Sequence, residues 1–71
     1  MHHPKLKEFG LRLREIRKSQ GISQEALAHK VGLDRSYLGC IERGEKNITL
    51  SNLYRLQEGL NVEMAELFKN N

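Results

Sequence analysis

The stretch SQEALAHKVGLDRSYLGCIERG, residues 23–44, constrains the fold more than any other part of the chain. It begins with Ser23, a residue type that caps helix N-termini, and hydrophobic residues four positions apart follow it. Gly32 ends this first helix, because glycine tolerates the left-handed backbone of a C-terminal cap. Asp34 then caps a second helix. The pattern therefore predicts two short helices joined by a tight turn, at about Gln24–Val31 and Arg35–Arg43.

The sequence on either side of this motif predicts three further helices and no convincing strand. The helix before the motif carries an apolar stripe with spacings of three and four residues, formed by Leu6, Phe9, Leu13 and Ile16. Thr49 is an N-cap for the next helix, whose predicted buried residues are Leu50, Leu53, Leu56 and Leu60. The three helices are predicted at about Lys5–Ser19, Leu50–Glu58 and Glu63–Lys69. We expect a compact all-α fold of five short helices, in a single domain over residues 1–71 with the helix-turn-helix at 23–44.

The charged residues are distributed unevenly along the chain, whose net charge is +3. Residues 1–55 contain 11 of the 12 lysines and arginines but six of the nine aspartates and glutamates, whereas residues 56–71 contain one lysine and three glutamates. A basic region that includes the helix-turn-helix suits contact with phosphate, and the acidic end suits a protein partner. A solvated basic surface without a partner is the alternative that charge alone leaves open.

Several functional classes have no support in the sequence. No apolar run approaches the ~20 residues of a membrane span, and no segment has the pattern of a signal peptide. The single cysteine, Cys40, cannot form an internal disulfide, so a cytoplasmic protein is expected. The three histidines, His2, His3 and His29, lack the spacing of metal ligands. Because no nucleophile–base pair, phosphate-cradling glycine loop or acidic magnesium cluster is present, we predict neither enzymatic activity nor a cofactor or metal site.

The second helix of the motif has a polar outer face, and two helices at a steep angle with such a face fit a DNA major groove. Arg35 lies at the start of this helix and is the first candidate for base reading, since arginine can bond O6 and N7 of guanine together. A phosphate contact, or a salt bridge with Asp34 or Glu45, is the alternative. Gln24 opens the first helix, where free backbone amides and the helix dipole attract a phosphate.

The helix-turn-helix, with the helix before it and the two after it, resembles the lambda-repressor-like family, also called the XRE or Cro/CI family. The resemblance covers residues 6–68 and rests on Arg17 followed by Gly21-Ile22-Ser23-Gln24, on LAHKVGLDRSYLGCIERG and on NITLSNLYRL. Within this family the chain is most similar to the small controller proteins of restriction–modification systems, which carry a similar LDRSY…G.ERG…N…L pattern. Gln57 and Gly59 depart from the family pattern, which has small helix-favouring residues such as alanine there.

This resemblance implies roles for individual residues. Ser36 and Tyr37 match positions that meet DNA and join Arg35 as candidate base contacts, although packing of Tyr37 against the turn is equally open. The candidate contacts to the DNA backbone are Gln24, Lys46, Asn47 and Asn52. Arg17 and Glu42 match a pair that forms an internal salt bridge. Glu25 matches an acidic residue that contacts the sigma subunit of RNA polymerase in lambda-like activators, and a solvated glutamate stabilised by the helix dipole is its alternative.

The chain is expected to act as a homodimer on a double-stranded DNA operator, because readers of palindromic DNA are commonly dimers and because a 71-residue domain is marginal alone. The candidate interface residues lie in the acidic C-terminal part and are Leu60, Val62, Met64 and Phe68. These features predict a sequence-specific regulator of transcription, most similar to a restriction–modification controller. The alternatives are an antitoxin, a phage-type repressor, or a protein-interaction module that does not bind DNA.

Overall fold

The computed structural model describes residues 3–69, which form four α-helices and one short 3₁₀ helix. The α-helices are α1 (Pro4–Ser19), α2 (Gln24–Val31), α3 (Arg35–Glu42) and α4 (Leu50–Leu60), and the 3₁₀ helix spans Met64–Phe68. Each α-helix begins within one residue of its predicted start, while α4 continues two residues past its predicted end. No strand occurs within residues 3–69, and none of the helices there is long and apolar enough to cross a membrane. His2 lies outside the described residues.

The prediction of a fifth α-helix at Glu63–Lys69 is wrong, because the segment forms a 3₁₀ helix of five residues. The amide of Glu66 donates to the carbonyl of Glu63 at 2.9 Å, which is the i to i+3 bond of that tighter helix. A segment this short gains too few hydrogen bonds to offset the cost of starting an α-helix. The Arg12 guanidinium instead fixes the segment, with its Nε 2.7 Å from the Glu66 carbonyl oxygen.

Local side-chain caps fix where the helices begin and how the first helix of the motif ends. The Ser23 Oγ accepts the amide three residues on at 3.0 Å, and Thr49 does the same for α4 at 3.2 Å. The Asp34 carboxylate accepts two amides of the first turn of α3, at 3.1 and 3.3 Å. Gly32 has a φ of 73°, the left-handed conformation that ends α2 and turns the chain toward α3. All four of these capping predictions are confirmed.

The core collects apolar side chains from all four α-helices and from the 3₁₀ helix. Its buried members are Phe9, Leu13, Ile16, Leu27, Ala28, Leu38, Ile41, Leu56, Leu60 and Leu67. Leu50 was expected among them, but it is 66% exposed. At roughly 100° per residue, the buried face of α4 is centred on Leu53, Leu56 and Leu60, and Leu50 lies about 90° away from that centre. The spacing of leucines alone therefore overstated the width of the apolar face.

Arg17 and Glu42 form a buried ion pair that joins α1 to α3. The Arg17 Nε lies 2.7 Å from Glu42 Oε2 and the Nη2 lies 3.1 Å from Oε1. The remaining Nη1 donates to the carbonyl oxygen of Ile22 at 2.8 Å, which ties in the segment before α2. Arg17 is 7% exposed and Glu42 is 4% exposed. Removing one partner of such a pair costs about 3–5 kcal/mol, because the other charge is left buried without compensation.

The closest approach between α1 and α3 occurs at Gly10. A Cβ atom built there would lie 2.5 Å from the carbonyl oxygen of Ile41 and closer still to that of Glu42. These are backbone atoms of a helix that the ion pair holds in place, so they cannot move aside cheaply. The absence of a side chain at Gly10 is therefore a condition for the observed packing.

We expect Gly10→Ala to lower the free energy of unfolding by about 1–3 kcal/mol, the usual cost of overpacking a core. In a domain of this size that corresponds to a fall in melting temperature of roughly 4–8 °C per kcal/mol. Thermal unfolding followed by circular dichroism measures it. The matched control is Gly39→Ala, another helical glycine, where the nearest atom is the mobile Arg43 Nη1 at 3.2 Å. Equal melting temperatures for the two variants would contradict the close approach at Gly10.

Candidate nucleic-acid interface

The N-terminal end of α3 presents two exposed polar side chains, Arg35 and Ser36. Within residues 3–69, the Arg35 guanidinium has no hydrogen bond or ion pair. The two expected competitors are occupied elsewhere: Asp34 caps α3, and Glu45 pairs with Arg43 at 2.9 Å. An arginine with an unengaged guanidinium retains all five donors for an external ligand.

Tyr37, the third candidate base contact, is half-buried and packs against the core. Its hydroxyl oxygen accepts a hydrogen bond from the Asn52 Nδ2 at 3.2 Å. Asn52 is also half-buried, and its backbone amide is held by the Thr49 cap. The structure thus brings Tyr37 and Asn52 together across the α3–α4 contact, and both side chains have a structural partner as well as an accessible part.

The other candidate backbone contacts lie at two places around α3. Lys46 and Asn47 are exposed in the loop between α3 and α4. Gln24, the first residue of α2, is half-buried, and its Nε2 donates to Glu42 Oε1 at 2.9 Å. The backbone amides of the first turn of α2 lie beside Gln24. Those that the Ser23 cap does not bond have no hydrogen-bond partner within the helix. Lys46 and Asn47 follow the C-terminal end of α3, and Gln24 contacts Glu42, the last residue of that helix. Two kinds of hydrogen-bond donor for a phosphate, flexible side chains and fixed helix amides, therefore lie beside the C-terminal half of α3.

Sequence reasoning missed two arginines at this surface. Arg14 and Arg43 belong to an open recess of about 460 Å³ beside the start of α2, which is lined by Arg14, Arg17, Ser23, Gln24, Glu42 and Arg43. Arg17 and Glu42 neutralise each other, and Arg43 is paired with Glu45, so Arg14 contributes the unpaired positive charge of the recess. Arg14 has no hydrogen bond or ion pair within the described part of the chain. The sequence around Arg14 predicts only an exposed residue of α1. The packing of α1 against α3 is what places Arg14 beside Gln24.

The Arg43 side chain lies along the outer side of α3. Its Nε donates to Glu45 at 2.9 Å and its Nη2 lies 3.6 Å from the Cys40 Sγ. The hydrogen bond and charge of Glu45 raise the pKa of Arg43 above its ordinary value, so this guanidinium remains charged across the physiological range. Within residues 3–69, no group of three histidine, cysteine, aspartate or glutamate side chains could hold a metal ion.

The predicted dimer residues divide into one core residue and three surface residues. Leu60 is 1% exposed, so its side chain belongs to the core of its own subunit, and the prediction that it forms an interface is corrected. The amphipathic period of α4 turns it inward beside Leu56. Val62 and Met64 are half-buried, while Phe68 is 56% exposed and its ring centroid lies 5.4 Å from that of Phe9. Glu25 is exposed in the first turn of α2.

Comparison with known proteins finds the same motif. A family model described as helix-turn-helix (HTH_3) matches residues 13–67. Control protein C.MunI from Mycoplasma sp is 41% identical over 61 residues, which are 84% of this chain and 82% of that protein. Control protein C.BamHI from Bacillus amyloliquefaciens is 40% identical over 60 residues, 83% of this chain and 74% of that protein.

Solved structures share the fold over nearly the whole chain. The restriction-modification controller protein C.AhdI from Aeromonas hydrophila superposes with a TM-score of 0.90 at 50% identity, covering 93% of this chain and 100% of that one. The controller protein C.Esp1396I, crystallised as a tetramer in complex with its natural 35 base-pair operator, has a TM-score of 0.80 at 32% identity. That match covers 94% of this chain and 99% of the C.Esp1396I chain.

Proposed function

Because this chain belongs to the helix-turn-helix family, we propose that it is a sequence-specific DNA-binding regulator of transcription, acting as a homodimer in the role of a restriction–modification controller. The observation that carries the proposal is the exposed N-terminal end of α3, where the Arg35 guanidinium has no partner within the described residues. The similarity to C.MunI, C.BamHI and C.AhdI supports the controller role. The role is regulatory rather than catalytic, and a cytoplasmic location is part of the proposal.

In this proposal, specificity and affinity come from different side chains. Arg35 bonds O6 and N7 of a guanine in the major groove, Ser36 contacts a neighbouring base edge, and Tyr37 offers the edge of its ring from a position fixed by Asn52. Phosphate contacts supply most of the affinity and carry no sequence information. Those contacts come from Gln24, Lys46, Asn47 and the accessible part of Asn52, together with Arg14 and Arg43.

Two subunits related by a twofold axis place their α3 helices in successive major grooves. Such half-sites are separated by one helical turn, roughly 34 Å, and the operator is then palindromic. The charge distribution agrees with this arrangement, because the basic part of the chain contains the proposed DNA surface and the acidic C-terminal part contains the proposed dimer surface.

Arg35→Ala and Lys46→Ala should weaken binding in different ways. Losing a two-bond arginine–guanine contact costs about 1–3 kcal/mol and relaxes the preference at one base pair of each half-site. Losing a lysine–phosphate contact weakens all sequences by a similar factor and lowers the salt slope by about one per subunit. Titration of each variant against operator, single-base variants and random duplex across a salt series separates the two effects.

The control for this comparison is Lys18→Ala, which removes one positive charge away from α3. Because Lys18 lies beside Val62, one of the predicted dimer residues, sedimentation must first show that this variant dimerises like the parent. Lys18→Ala should leave the ratio of operator affinity to random-duplex affinity unchanged, and it should alter the salt dependence of binding little. If Arg35→Ala weakens operator and random duplex equally, Arg35 is a backbone contact and base reading belongs to other residues of α3. A parent protein that binds neither duplex at any salt concentration would favour the protein-interaction module instead.

The proposed dimer surface consists of Val62, Met64 and Phe68. Phe68→Glu places a charge in an apolar contact, so we expect a monomer in sedimentation at concentrations where the parent is a dimer, with weaker operator binding. Met64→Glu is the second variant. Phe68 contacts Phe9 and Met64 packs against the core, so circular dichroism must show that each variant is folded before sedimentation is compared. Leu50→Glu is the control for sedimentation alone: Leu50 is exposed at the far end of α4, about 15 Å along the helix from Leu60, but it lies close to the proposed DNA contacts Asn47 and Asn52. Dimers of undiminished strength in both folded variants would remove this surface from the proposal.

The proposal extends to RNA polymerase, with Glu25 as the contact to the sigma subunit. Glu25 is exposed on α2 and borders the proposed DNA surface without being needed for it, so it is accessible to a protein bound beside the operator. Glu25→Lys should abolish activation of a reporter gene while operator affinity in vitro stays within about twofold of the parent or rises through the added charge. Equal activation by parent and variant would show that Glu25 is only a solvated residue at a helix N-terminus.

A further inference from the structure

The Gln24 side chain is connected to the interior of the protein through Glu42. Its Nε2 donates to Glu42 Oε1 at 2.9 Å, and the same oxygen accepts from Arg17 Nη2 at 3.1 Å. The other carboxylate oxygen accepts from Arg17 Nε at 2.7 Å. A continuous chain of polar contacts therefore runs from α1 through α3 to the first residue of α2.

This arrangement sets the orientation of the Gln24 amide. A carboxylate can only accept hydrogen bonds, so the nitrogen end of the amide must face Glu42, and one of its two hydrogens is used there. The second hydrogen remains available to an external acceptor. The amide oxygen lies toward Gly39, where a Cβ atom would be 3.6 Å from it.

We propose that Glu42, besides pairing with Arg17, is a positioning residue that holds Gln24 ready for a phosphate of the DNA backbone. This inference rests on the proposed function, because it assigns the mechanism of one of its backbone contacts. A glutamine that is already ordered loses less conformational freedom on binding than one that moves freely in solvent. The positive charge of Arg14, which lines the same recess and has no ion pair within the described residues, draws the phosphate toward the amide.

A double-mutant cycle in DNA affinity tests the positioning role. Its variants are Gln24→Ala, Glu42→Gln and the double variant, and its probe is a duplex obtained by selection from a random pool with the parent protein. We expect Gln24→Ala to lower affinity about tenfold in the parent background, as for a hydrogen bond to a charged group. In the Glu42→Gln background it should lower affinity about twofold or less, because Gln24 is no longer oriented. A purely structural Glu42 predicts the same loss in both backgrounds, and that result would overturn the inference.

The motion of the Gln24 side-chain amide supplies a second readout that needs no DNA. Its NMR order parameter in the free parent should approach that of rigid backbone, about 0.85, and should fall below about 0.6 in Glu42→Gln. Gln57 is the internal control, because its Nε2 donates to the carbonyl oxygen of Val62 at 2.6 Å, independently of Glu42. If Glu42→Gln does not fold, Glu42→Asp, which keeps the negative charge on a side chain that is shorter by one methylene group, replaces Glu42→Gln in both measurements.

The two readouts separate the inference from the function on which it rests. A parent that binds no duplex contradicts the proposed function and, with it, the role of Gln24 on DNA. A parent that binds the selected duplex while its Gln24 amide is as mobile as an unrestrained side chain contradicts the positioning role alone. The positioning role is also contradicted if the Gln24 amide is rigid but Gln24→Ala does not change the DNA affinity of the parent.

Discussion

The buried ion pair between Arg17 and Glu42 is the contact through which three helices take their relative positions. Burying two charges costs several kcal/mol for each ion, and this cost is offset only when the geometry is close and the remaining polar atoms are satisfied. Both conditions hold here: two nitrogens of Arg17 meet both oxygens of Glu42, and the third donates to the carbonyl oxygen of Ile22. Because Ile22 directly precedes the Ser23 cap, the pair sets the start of α2 as well as the α1–α3 contact. Because Gly10 has no side chain, the backbones of α1 and α3 pack directly against each other at this contact.

The pair also explains how a domain of four short α-helices can present a fixed binding surface. The inner face of α3 is fixed by the core and by the ion pair of Glu42. Arg35 and Ser36, at the exposed N-terminal end of α3, remain available to a ligand. The start of α2 and the loop that carries Lys46 and Asn47 lie at the other end of α3, beside and beyond Glu42. Rigid support behind a helix with unengaged polar side chains is the arrangement that a reader of the major groove requires.

Features that depend on neighbouring residues could be predicted from the sequence. The caps at Ser23, Asp34 and Thr49 each need a side chain and an amide within three residues, and the left-handed Gly32 needs only its own backbone, so local patterns identify them. Features that depend on distant residues could not be predicted from local patterns, and the Arg17–Glu42 pair was expected only because the family resemblance implied it. The period of α4 correctly predicted that Leu60 is buried, but the further assignment of Leu60 to the dimer interface is wrong, because a side chain that is 1% exposed leaves no surface for a second subunit. Gly59 departs from the family pattern, and the structure supplies the reason, since a Cβ there would collide with the Val31 Cγ1. Arg14 escaped notice because its neighbours Gln24 and Arg43 belong to other parts of the chain.

The central claim is that two copies of this chain read a symmetric DNA sequence through the exposed end of α3. Selection of bound duplexes from a random pool, followed by sequencing, tests that claim most directly. The account predicts one enriched motif with twofold symmetry, with a guanine in each half-site and half-site centres about one helical turn apart, roughly 10 base pairs. Enrichment of no motif, or of a single asymmetric half-site by a monomer, would contradict it.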